Sequence, residues 1–83
     1  MNNQIEDLLQ DAAEVTQVIL QLTFILSLIQ AEIVRLSAED GNQEEIDALI
    51  QDSFVVEQVI LQLTIILSLI QAEIVRLSQE NAA

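Results

Sequence analysis

The feature that most constrains this chain is that its second half repeats its first. When residues 5–37 are aligned with residues 46–78, 25 of the 33 positions are identical. Over the last 21 residues of each copy only one position differs, where Phe24 in the first copy corresponds to Ile65 in the second. Because nearly equal segments have nearly equal local preferences, the sequence predicts two equivalent elements joined by a short connection.

Each copy predicts one uninterrupted α-helix. The chain has no Pro, and its single glycine, Gly41, falls between the two copies. Leu, Gln, Glu and Ala favour helices, although the frequent Val and Ile residues favour them less. Asn3 and Asn42 each stand three residues before a Glu, which is the spacing of a capping box. We expect Gly41 to adopt the left-handed conformation that commonly ends a helix.

These signals predict an all-α fold in one domain spanning residues 1–83. Helix 1 is expected at about 4–39, a turn at about 40–42 and helix 2 at about 43–80. A turn this short leaves only antiparallel packing, so the predicted architecture is a two-helix hairpin of the coiled-coil type. A chain this small buries little surface alone, and we therefore expect the hairpin to assemble into a helical bundle or larger oligomer.

Apolar residues recur at alternating steps of three and four along both helices, and we call this surface the seam. It runs from Ile5 to Leu36 and from Ile46 to Leu77, with Ser53 as the one polar member among ten positions per helix. Such a run is a strong coiled-coil signal. We interpret the seam as a packing surface and predict an oligomer interface along its main part. That part comprises Val15, Ile19, Leu22, Leu26, Ile29, Ile33, Leu36, Val56, Ile60, Leu63, Leu67, Ile70, Ile74 and Leu77.

A second apolar surface lies on the far side of each helix when residues are placed at about 100° intervals. We call it the outer ridge. Its members are Leu20, Phe24, Leu28, Leu61, Ile65 and Leu69. A helix that is apolar on two sides is buried in protein or in lipid, so the outer ridge is predicted to form a second interface.

Hydroxyl and amide side chains run in a stripe between the two apolar surfaces. The stripe consists of Thr23, Ser27, Gln30, Thr64, Ser68 and Gln71. We interpret it as a buried polar network whose hydrogen bonds between helices fix their register. The alternative is that the same groups line a polar channel through a ring of hairpins.

The composition argues against an enzyme. The chain contains no His, Cys, Trp or Tyr, which removes thiol nucleophiles, imidazole bases and the usual zinc ligands. Glu32 and Glu73 are each followed three residues later by an Arg, a spacing typical of structural ion pairs. We predict no catalytic, cofactor or metal site.

The charge balance limits the partners. Two basic residues, Arg35 and Arg76, stand against fourteen acidic ones, giving a net charge of −12. This repels the phosphates of nucleic acids and anionic lipid surfaces. The expected partner is the chain itself, in more than two copies. The first residues do not suggest a signal peptide, and a soluble or extracellular assembly is favoured, with the localisation otherwise unknown.

A membrane hairpin is the alternative, because residues 18–36 are apolar and nearly long enough to span a bilayer. Gln21, Gln30 and Glu32 count against it, since each costs free energy in hydrocarbon unless paired. The two Arg residues also define no positive side. In a hairpin the apolar belts of the two helices are displaced by more than about 10 Å along the axis.

The leading hypothesis is a structural self-assembly subunit that forms a homo-oligomeric bundle, ring or filament through two apolar helix faces. A membrane-inserted or pore-forming hairpin is the second. The near-exact reuse of one helix and the clean caps are similar to those of computationally designed helical hairpins, whose surfaces usually mix Lys and Glu. This chain has no Lys, and a duplicated filament or coat subunit fits comparably well.

Overall fold

The computed structural model describes residues 3–82, with the side chains of residues 3–80. Two helices, α1 at Asn3–Ala38 and α2 at Gln43–Ala82, pack against each other, and the described part of the chain contains no strand. The Cα atoms extend 64 Å along the hairpin and 14 and 13 Å across it. The predicted all-α hairpin is confirmed. Helix 2 begins at residue 43 as expected, and the other helix ends lie one or two residues from the expected positions.

The seam forms the contact between α1 and α2. The chain reverses around Gly41, so positions equally far from Gly41 lie opposite each other. Leu36 and Ile46, five residues to either side, are both buried, at 7% exposure. Leu26 of α1 shares a shallow groove with Ile60 of α2, so the two helices also lie side by side in the middle of the hairpin. Every seam residue on both helices is buried or half-buried.

Ser53, the polar member of the seam, is also buried, with 7% exposure. Its hydroxyl donates a hydrogen bond to the carbonyl oxygen of Ile50 at 2.7 Å, so its burial leaves no donor unpaired. The equivalent residue of α1 is Ala12, and both small side chains lie as far from Gly41 as an isoleucine of the other helix, Ile29 or Ile70. The small residues therefore make room for larger ones at both ends of the seam.

The turn differs from the prediction at Gly41. The left-handed residue is Asp40, with a φ of 57°, and Gly41 does not have positive φ. The Gly41 N–H donates to the carbonyl oxygen of Leu36 at 2.6 Å. In a Schellman motif this is the hydrogen bond that spans six residues. Asp tolerates the left-handed region better than most residues, so α1 can end one residue earlier than expected.

Glycine is nevertheless required at position 41, for reasons of space. A Cβ atom there would lie 2.8 Å from the carbonyl oxygen of Leu36 and 2.9 Å from its Cβ. Both distances are shorter than a non-bonded contact, and the neighbouring atoms belong to the last turn of α1. The role of Gly41 is thus to let the chain pass close to Leu36.

Asn42 caps the start of α2, whereas the reciprocal bond of a capping box, from Glu45 back to Asn42, is not among the hydrogen bonds of the described residues. The Asn42 side-chain oxygen accepts a hydrogen bond from the backbone N–H of Glu44 at 2.8 Å, which satisfies one of the free donors of the first turn. The Asn42 carbonyl oxygen accepts the first helical bond, from the Ile46 N–H at 3.1 Å. At α1 the expected cap, Asn3, is itself the first helical residue described.

Two substitutions in the turn should have opposite effects. Gly41→Ala should lower the free energy of unfolding by roughly 1–3 kcal/mol, because the new methyl group overpacks against Leu36. Asp40→Gly should leave stability unchanged or raise it, because glycine adopts the left-handed conformation without strain. Thermal and urea unfolding followed by circular dichroism, at one protein concentration, would measure both. A Gly41→Ala variant as stable as the parent would contradict the steric explanation.

Candidate interaction surfaces

The seam is covered incompletely by the hairpin itself. Only Leu36, Ile46 and Ser53 are buried in the described chain, and all three lie on the half of the hairpin nearer the turn. No described side chain is fully buried. The accessible surface is 5998 Å², against about 4,900 Å² for a compact chain of this mass. Two helices alone therefore leave the apolar core open.

The outer ridge is exposed to solvent along both helices. All six of its residues are 55–66% exposed. On α1, Leu20 and Phe24 line a shallow groove together with Ile25 and the amide side chains of Gln17 and Gln21. The structure thus places these side chains on the outside of the hairpin, and their role as a second interface stays a prediction.

Four further apolar residues lie beside the seam, and the sequence analysis did not single them out. We call them the lateral patch. They are Val18, Ile25, Val59 and Ile66, and each immediately precedes a seam residue. Val59 is half-buried and the others are 42–44% exposed, less than any residue of the outer ridge. The signal that could have identified them is an apolar residue just before a seam residue, repeated seven residues later in both helices.

The hydroxyl groups of the polar stripe bond within their own helices. Thr23 and Thr64 donate to the carbonyl oxygens of Ile19 and Ile60, each at 2.8 Å. Ser27 and Ser68 likewise donate one turn back, each at 3.1 Å. All six stripe residues are exposed in the hairpin, so a network between helices stays a prediction. Because their donors are already paired, the hydroxyls lose less on burial than free ones would.

Both arginines are held by acidic residues of their own helix. The Arg35 guanidinium donates to Glu32 at 2.8 Å and to Glu39 at 2.9 Å. Its hydrogen bonds hold the pKa of Glu32 below the ordinary value, and Glu32 raises the pKa of Arg35. Arg76 makes the equivalent contacts in α2, with Glu73 and Glu80. The predicted ion pairs are present, and they use the only two cationic side chains of the chain.

Glu73, like Glu32, has its pKa lowered by the hydrogen bond from its arginine. Within residues 3–82, no group of three or more His, Cys, Asp or Glu side chains comes together in a way that could hold a metal ion. The unpaired acids cluster toward the helix ends and the turn. The negative charges of these acids repel one another, and salt screens this repulsion.

Both helices are long and apolar enough to cross a membrane by length and composition alone. The core helices of soluble assemblies pass the same test. Length and composition therefore show how apolar these helices are without identifying what surrounds them.

No protein-family model matches the chain, and no curated protein or solved structure is significantly similar to it.

Proposed function

We propose that this chain is a structural self-assembly subunit, a hairpin that forms homo-oligomers of more than two copies through its apolar helix faces. The observation that carries the proposal is the position of the large apolar side chains. The outer ridge is 55–66% exposed, and the seam is only half-covered over most of its length. Apolar patches of this extent on a soluble chain mark interaction sites.

The distribution of charge supports contact through the middle of the hairpin. No charged residue occurs in residues 16–30 or in residues 58–71. Copies can therefore meet without bringing carboxylates together where the two segments lie level with each other, at residues 16–24 of α1 and 58–66 of α2. The acids near the ends repel one another and limit how closely the ends of neighbouring copies approach.

Membrane insertion is the second candidate, favoured by the length and apolar character of both helices. The register of the hairpin opposes it. Residues 52–66 of α2 lie as far from Gly41 as residues 16–30 of α1, and they include Asp52 and Glu57. A bilayer that covered the charge-free segment of α1 would thus also cover two carboxylates of α2, at a cost of several kcal/mol.

The test is the mass of the purified chain in detergent-free buffer at neutral pH. We expect more than two copies, measured by light scattering or sedimentation, because two apolar surfaces have to be covered. The larger species should increase with NaCl, since salt screens the repulsion among acidic residues. A stable monomer or a simple dimer at every salt concentration would refute the proposal.

Flotation with neutral liposomes separates the two candidates. A self-assembling subunit should stay with the soluble fraction and keep its oligomeric mass. Quantitative flotation of a chain that is insoluble or aggregated without lipid would instead favour insertion.

A further inference from the structure

We propose that the lateral patch is the surface on which a second copy of this chain docks, so that two hairpins form a four-helix bundle. This inference rests on the proposed function and specifies the first contact of the assembly. The outer ridge would then join bundles to each other. The lateral patch, as defined above, comprises Val18, Ile25, Val59 and Ile66.

The internal duplication gives the hairpin an approximate two-fold axis. Residue i of α1 is equivalent to residue i + 41 of α2. Two residues that lie opposite each other, equally far from Gly41, are equivalent to two residues that also lie opposite each other. The axis is perpendicular to the plane of the two helices and passes between them, level with residues 20 and 21 of α1 and residues 61 and 62 of α2. Val18 is thereby related to Val59, and Ile25 to Ile66.

The four side chains form a compact group around this axis. They lie between 16 and 25 residues from Gly41 along the chain, which is a length of about 14 Å along the hairpin. Each has a seam residue both one and four positions later. In an antiparallel pair, heptad positions of this kind fall on the same side of the plane that contains the two helices. The exposures of the four side chains agree with this position, because residues beside a seam are more covered than residues on the far side of the helix.

The hairpin has a second broad face, on the opposite side of the plane that contains the two helices. The residues beside the middle of the seam on that face are polar. There the residues beside the middle of the seam are Thr16, Thr23 and Gln30 on α1 and Glu57, Thr64 and Gln71 on α2. A partner that covers the lateral patch therefore buries more apolar surface than a partner that covers the other broad face. The half-buried seam residues would be covered from the same side, and the contact would continue the interface between α1 and α2.

A second copy is the occupant that the hairpin itself indicates. α1 and α2 are nearly the same helix, and they already pack against each other in antiparallel orientation. The seam of this helix is therefore complementary to the seam of a copy of the same helix, and the lateral patch continues that seam on one side. The area exposed beyond that of a compact chain is roughly 1,000 Å², comparable to the ~800 Å² that each partner buries in a standard interface.

Carboxylates bound the patch at both ends. Asp11 and Glu73 lie beyond it on the side of the chain termini, and Glu32 and Asp52 lie beyond it toward the turn. All four precede seam residues, as the patch residues do. The acids of two docked copies would come near each other at these ends, so the contact should strengthen with salt.

The experiment compares two double variants of the full chain. Ile25→Gln with Ile66→Gln places amides in the lateral patch. Val34→Gln with Val75→Gln is the matched control, because it places the same amides at equivalent exposed positions outside the lateral patch. Sedimentation over a range of concentrations should show the association midpoint raised at least about tenfold in the first variant, since each tenfold corresponds to about 1.4 kcal/mol. The control should assemble as the parent does.

Circular dichroism would check that both variants keep the parent's helix content. Should the Ile25 and Ile66 variant lose its helices, Val18→Thr with Val59→Thr decides the question, because threonine keeps the shape of valine while adding a hydroxyl. That variant should also associate more weakly than the parent. If it assembles normally, the inference is wrong.

Failure of the inference and failure of the proposed function give different results. A parent chain that stays monomeric at high salt would overturn both. A parent that assembles while the lateral-patch variants assemble equally well would overturn the inference alone. Association seen only with detergent would mean that lipid covers this face, and it would also overturn the inference.

Discussion

Leu26→Gln combined with Leu67→Gln should unfold the hairpin. The two residues are equivalent seam positions, both half-buried, and each faces the other helix. Truncating a fully buried leucine costs about 2–5 kcal/mol, and these half-buried leucines should lie at the lower end of that range. An amide left without partners in the seam costs about 1–3 kcal/mol more. The sites are separated by about 16 Å along the hairpin, so the two losses should add. Their sum reaches the whole stability expected of a small domain.

Far-ultraviolet circular dichroism and thermal unfolding, at one protein concentration, would measure this effect. The matched control is Val34→Gln with Val75→Gln, which introduces the same side chain at equivalent positions that are 68% and 55% exposed. The control should keep the helix content and unfolding temperature of the parent. A seam variant that remained as helical and as stable as the parent would mean that the seam does not hold the hairpin together.

The seam could be predicted from the sequence because its spacing follows directly from helix geometry. Steps of three and four keep residues on one side of an α-helix. The structure therefore buries or half-buries every predicted member, including Ser53. The same reasoning gave the hairpin, since a short connection between two long helices allows only an antiparallel return.

The geometry of the turn could not be predicted in the same way. Asp40 and Gly41 are adjacent, and both residue types tolerate the left-handed conformation. Which of them adopts it depends on where α1 ends, and helix ends are uncertain by one or two residues when judged from sequence. The close approach of Gly41 to Leu36 becomes visible only in three dimensions.

The lateral patch needed the register of the hairpin as well as the periodicity. Each helix alone shows that Ile25 and Ile66 lie beside the seam. Only the reversal at Gly41 places them on one face, around a common axis with Val18 and Val59. The stoichiometry and symmetry of an assembly lie beyond a single chain, because they depend on contacts between copies.

Phe24→Gln with Ile65→Gln tests the outer ridge. The two side chains are 66% and 61% exposed in the hairpin, and they are the one pair that differs between the last 21 residues of each copy. The seam is untouched and Gln is a good helix former, so helix content should be retained. If the ridge is an interface, each buried large side chain that is lost removes roughly 1.5–3 kcal/mol, and every subunit repeats the loss.

Assembly of this variant should therefore stop at a small bundle, measured by light scattering beside the parent. The lateral-patch variant provides the comparison, because Ile25 and Ile66 are the next residues along the same helices. Loss of the lateral patch should remove the small bundle as well, whereas loss of the outer ridge should leave it. Should the Phe24 and Ile65 variant reach the same mass as the parent, the outer ridge is not an interface. Contacts through the seam and the lateral patch alone would then have to account for the assembly.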